Sequence, residues 1–93
     1  MDVEKYLQAN GWITNEILAA EEKHPHWPKD VIHQAAIVAE EAGELVQAAL
    51  QYHYEGGSPD RLRKEAIQTG AMAHRLLMHM LDLKEADHVD RQT

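Results

Sequence analysis

AIVAEEAGELVQAAL, residues 36–50, is an apolar, alanine-rich run interrupted by Glu40, Glu41 and Glu44. Its residue types favour a helix. In a helix, Glu41 and Glu44 lie three positions apart and Glu40 and Glu44 four, so like charges share one face and oppose its formation. No Lys or Arg occurs from Asp30 to Tyr54 to offset them. Another acidic residue, Glu65, sits in a second helix-like stretch, RKEAIQTGAMA, residues 63–73. Folded back as an antiparallel hairpin, the two helices would set hard oxygen ligands opposite one another, a donor set suited to Mg²⁺ or Mn²⁺. The competing solution is a structural ion-pair network, with Arg61, Arg63 or Lys64 supplying the missing positive charge across the hairpin.

Working outward, the sequence predicts an all-α chain. HPHWPKD, residues 24–30, contains two prolines and cannot continue a helix; it ends in Asp30, a good N-cap. The second helix is expected from Val31 to Tyr54. YEGGSP closes it: Gly56 and Gly57 stop the helix, Ser58 caps the next and Pro59 takes its first position. The third helix is expected to run to about Leu83, with a break near Gly70 and with Leu62, Ala66, Ile67, Met72, Leu76, Leu77, Met80 and Leu81 as its core face. Before the connector, a helix from Thr14 to Lys23 is expected after Gly11, preceded by a short helical turn over Val3 to Gln8. Its apolar stripe is Ile13, Ile17, Leu18 and Ala20. The polar tail, residues 84–93, is expected to fray.

Residues 31–50 carry apolar side chains on nearly every helical face, including six alanines and Gly43. Burial on more than one side follows, and a chain of 93 residues can hardly supply that cover by itself. A helical-bundle homo-oligomer, dimer or tetramer, is therefore expected from a single domain spanning 1–93.

Composition narrows the function. Sixteen Asp and Glu against nine Lys and Arg give a formal charge of −7, the wrong sign for a protein that neutralises nucleic-acid phosphates. The absence of cysteine removes disulfides and thiolate metal sites and fits a reducing cytoplasm. The first residues, MDVEKYLQANGW, lack the apolar core of a secretory signal, and no segment is apolar for long enough to span a membrane. His24, His26 and His33 cluster without the ligand spacing of a zinc site. His74 and His79, on a largely apolar helix, are expected as buried, hydrogen-bonded imidazoles.

The stretch HPHWPKDVIHQAAIVAEEAGELVQAAL, followed by a turn and LRKEAIQTGAMAHRLL, resembles the MazG-like members of the all-α nucleoside-triphosphate pyrophosphohydrolases over roughly residues 21–80. That family carries EExxE on one helix and ExxD on the next. Here the first half is complete as Glu40, Glu41 and Glu44, whereas the second keeps Glu65 and has Gln68 at the aspartate position. The resemblance implies Mg²⁺-dependent hydrolysis of nucleoside triphosphates to a monophosphate and pyrophosphate, as part of nucleotide-pool cleaning. Glu41, Glu44 and Glu65 would be metal ligands, with Gln68 as a neutral fourth. Glu40 would orient or deprotonate the attacking water, or act as a further ligand. Arg61, Lys64 and Arg75 are expected as triphosphate clamps, and His33 as a group at the substrate end. Trp27 is expected to pack over a helix pair or to stack on a nucleobase. The rival expectation is a catalytically lapsed helical oligomer that binds or regulates, for which Gln68 is the favouring residue.

Overall fold

In the computed structural model, which describes residues 1–83, the chain forms three helices: α1 over Val3–Lys23, α2 over Val31–Glu55 and α3 over Pro59–Met80. Each begins on a side-chain cap that satisfies an otherwise orphaned N–H. Asp2 accepts from Lys5 N–H at 3.1 Å, Asp30 from Ile32 N–H at 3.1 Å, and Ser58 from Asp60 N–H at 3.1 Å. Pro59 occupies the first turn of α3, where its missing donor costs nothing. At the end of α2, Gly56 is left-handed with φ 67, and Gly57 N–H donates to the Gln51 carbonyl at 2.9 Å. A side chain at Gly57 would meet the Gln51 carbonyl carbon at 3.0 Å, so the turn is too tight for anything larger. These boundaries are those read from Asp30, YEGGSP and Pro59.

Two expectations about the helices are corrected. The N-terminal segment is one uninterrupted helix and does not begin at Thr14, whose Oγ1 donates to the Asn10 carbonyl at 2.9 Å inside the helix. Gly11 is tolerated because Asp2 starts the helix earlier and because packing on α3 outweighs a glycine cost of about 1 kcal/mol. Nor does α3 break near Gly70. That glycine marks close approach: a Cβ there would lie 3.0 Å from Ile13 Cδ1, so its absence lets α1 seat on α3. The end of α3 comes at Met80, beyond which Asp82 N–H to His79 O and Leu83 N–H to Met80 O make a tighter turn. The expected fraying of 84–93 lies outside the described residues.

Helix α3 is the central element, packed against both α1 and α2, while α1 and α2 make no close backbone contact with each other. Among the described residues the apolar core is small, consisting of Ile17, Ala20, Ala48 and Ala71. Of the expected α3 core face, Ala66, Leu77, Met80 and Leu81 are exposed, Leu81 at 85%. Leu18 and His74 are exposed as well. On α2, Ile32 is 76% exposed, and Val46, Leu50 and Tyr54 also face outward. No helix among the described residues is long and apolar enough to cross a membrane.

Candidate metal centre

Packing of α2 on α3 brings Glu41, Glu44 and Glu65 together, with one carboxylate oxygen from each lying within 4.8 Å of the others. Glu41 and Glu65 are half-buried and Glu44 is exposed. Glu41 Oε2 and Glu65 Oε2 are shut off from solvent and have no hydrogen-bond partner. An unpaired buried acceptor costs about 1–3 kcal/mol, and more when it is charged. Burial, followed by the charges of Glu44, Glu65, Glu40 and Glu16, pushes the Glu41 carboxyl above the ordinary carboxylate value. Such a site lacks a positive charge.

The basic residues at the start of α3 do not provide it. Arg61 donates to Gln51 Oε1 beside the turn between α2 and α3. Arg63 pairs with Asp60 at 3.3 Å and lies over the Trp12 ring at 5.4 Å. Lys64 is exposed. Among the described residues, Arg63–Asp60 is the only ion pair, and so the neutralising network that was the alternative to a metal is not formed. An all-oxygen donor set with two orphaned, buried oxygens fits a hard divalent cation.

Beside the triad is a cleft of about 250 Å³. Its walls include Glu41 from α2, Gln68 and Arg75 from α3, Glu16 and Lys23 from α1, and His24 just after it. Gln68 and Arg75, both named from the sequence, therefore share a cavity with a triad carboxylate. Arg75 is only 8% exposed; its guanidinium stacks 4.2 Å from the Trp27 ring centroid and donates to the His24 carbonyl at 3.5 Å. Trp27 lies against Arg75 of α3, and its Nε1–H is buried without an acceptor. Gln34, fully buried, donates from Nε2 to the Pro28 carbonyl. Both buried polar residues therefore tie down the same connector. Glu40, His33, Arg61 and Lys64 are exposed and do not line the cleft.

Two wall residues, Glu16 and Lys23, escaped the sequence reading, and a third, His24, was read there only as part of a histidine cluster without zinc spacing. Glu16 and Lys23 are seven apart, two turns along one face of α1, a spacing visible in the sequence. What no local pattern announces is that this face turns toward Glu41. No protein-family model, curated protein or solved structure matches the chain.

Proposed function

We propose that this chain is a Mg²⁺-dependent nucleoside-triphosphate pyrophosphohydrolase of the MazG-like kind, built on an antiparallel α2–α3 hairpin and acting as a homo-oligomer. The observation that carries the reading is the pair of buried, partnerless oxygens, Glu41 Oε2 and Glu65 Oε2, on two helices, with Arg61 and Arg63 engaged by other partners. Glu41, Glu44 and Glu65 would hold Mg²⁺ or Mn²⁺, with the Gln68 amide oxygen a neutral addition on the cleft wall. A bound ion supplies charge neutralisation at the phosphate oxygens and acidifies the attacking water. Glu40, exposed and next to Glu41 in the chain, would orient that water or accept its proton. The cleft between α1 and α3 gives the polyphosphate a groove that borders Glu41.

Oligomerisation is supported by the uncovered faces. Ile32, Val46, Leu50 and Tyr54 on α2, with Ala35, Ala36, Ala39 and Gly43 between them, leave one side of the helix without cover in the single chain. A second copy of the same chain would bury it. The competing reading, a binding or regulatory oligomer without turnover, is favoured by one feature, the neutral Gln68 where the family carries a carboxylate.

Product analysis separates the two. Incubation with Mg²⁺ and a panel of nucleoside triphosphates, followed by phosphorus NMR, should yield monophosphate and pyrophosphate in equal amounts. Diphosphate with orthophosphate, or no product across the panel, would contradict the proposed reaction.

A further inference from the structure

Arg75 is a buried cation that forms no ion pair among the described residues, although Glu21 and Asp82 line a second cleft with it on the Trp27 side. Removing a guanidinium from water is costly unless its donors are engaged, and a carboxylate is the usual partner. Here the plane rests on Trp27 at 4.2 Å and one nitrogen reaches the His24 carbonyl at 3.5 Å, the long limit of a hydrogen bond. A guanidinium carries five N–H donors, so most of that capacity remains unspent. Contact with the Trp27 ring restrains a guanidinium, a group that can bind phosphate with two parallel hydrogen bonds. Gln34 reinforces it, since its hydrogen bond to Pro28 O holds the connector that carries Trp27.

The cleft beyond Arg75 is polarised. Lys23 and His24 line it together with Arg75, whereas Glu16, Glu41 and Gln68 supply its other polar groups. A bare anion would be repelled by the two carboxylates, while a divalent cation held by the carboxylates would leave Arg75 and Lys23 without an anion. A ligand that carries both signs, a polyphosphate with a divalent cation on part of its chain, matches both. We infer that Arg75, stacked on Trp27, is the phosphate seat of this cleft and binds one phosphoryl group of a metal-bound polyphosphate, with Lys23 as a second cation. The inference deepens the proposed function and rests on it only for the metal half. It moves phosphate recognition from the start of α3, where Arg61 and Lys64 lie, to the wall shared by α1 and α3. Ligands with two or more linked phosphoryl groups should therefore bind in preference to a monophosphate.

The test is a titration of the full chain with inorganic pyrophosphate, once with Mg²⁺ and once with EDTA, followed by calorimetry and by the NMR signals of Arg75 Nε–H and Trp27 Nε1–H. With Mg²⁺, both signals should move along one saturable curve. Arg75→Gln should weaken pyrophosphate binding about ten- to a hundredfold, as expected for losing hydrogen bonds from a charged donor. Arg75→Lys should lose less, and Lys23→Gln, on the exposed end of α1, should lose severalfold without affecting the fold. If Arg75→Gln fails to fold, the wild-type signals and Lys23→Gln decide. A wild-type Arg75 signal that stays still at saturating pyrophosphate, or a folded Arg75→Gln protein that binds as the wild type does, would overturn the seat and leave Arg75 as an anchor for the connector. Movement of the Arg75 signal in EDTA as well as in Mg²⁺ would uphold the seat and count against the metal reading; Mg²⁺ stabilisation with an unmoved Arg75 would do the reverse.

Discussion

Gln68 stands on the wall of the cleft with Glu41, close to carboxylates that already lack a counter-charge. Its amide adds an oxygen without adding repulsion, which eases the apo protein and weakens the attraction for a cation. Gln68→Asp should therefore tighten Mg²⁺ binding and lower the metal concentration needed for half-maximal turnover. Side-by-side calorimetric metal titrations in the same salt check this, and unchanged or weaker binding by the Asp protein would remove Gln68 from the ligand set. Glu41, Glu44 and Glu65 were legible as a group because each helix displays its own charges and the turn between α2 and α3 is short. Glu16 was not, because its place beside Glu41 depends on how a separate helix seats on α3. For the same reason the sequence left Arg61 and Lys64 as strong as Arg75, although only Arg75 reaches the cleft.

The helices show where local signals govern and where packing overrides them. Asp30, Ser58 with Pro59, and the left-handed Gly56 set boundaries through hydrogen bonds within a few residues, so a linear reading finds them. Gly11 and Gly70 carry the same residue type with a different meaning, since neither adopts positive φ and each lies inside a helix that packing sustains. They are separable by substitution. A Cβ at Gly11 would meet nothing within 4 Å, whereas one at Gly70 would press on Ile13. Gly11→Ala should raise stability by about 0.5–1 kcal/mol, the usual glycine penalty in a helix interior, as read from urea unfolding. A neutral or destabilising result would indicate that the N-terminal segment is divided at Gly11 in solution, as its sequence alone suggests.

At the scale of the whole molecule, four buried apolar residues make a thin core for three helices of this length, and large side chains remain uncovered on α1, α2 and α3. The purified protein should run as a dimer or larger in light scattering at micromolar concentration. A stable monomer would leave the exposed row from Ile32 to Tyr54 on α2 without an explanation. Assembly and the proposed chemistry are separable, because the three carboxylates come from α2 and α3 of one chain. Whether those carboxylates are a metal site is settled most directly by a thermal unfolding scan with and without Mg²⁺, on the wild type and on Glu44→Gln. Relief of the repulsion among Glu41, Glu44 and Glu65 should stabilise the wild type by about 2.7 kcal/mol when the ion is at a hundred times its Kd, and Glu44→Gln at the same Mg²⁺ concentration should lose most of that gain. A wild-type melting temperature that Mg²⁺ leaves unchanged would contradict the site.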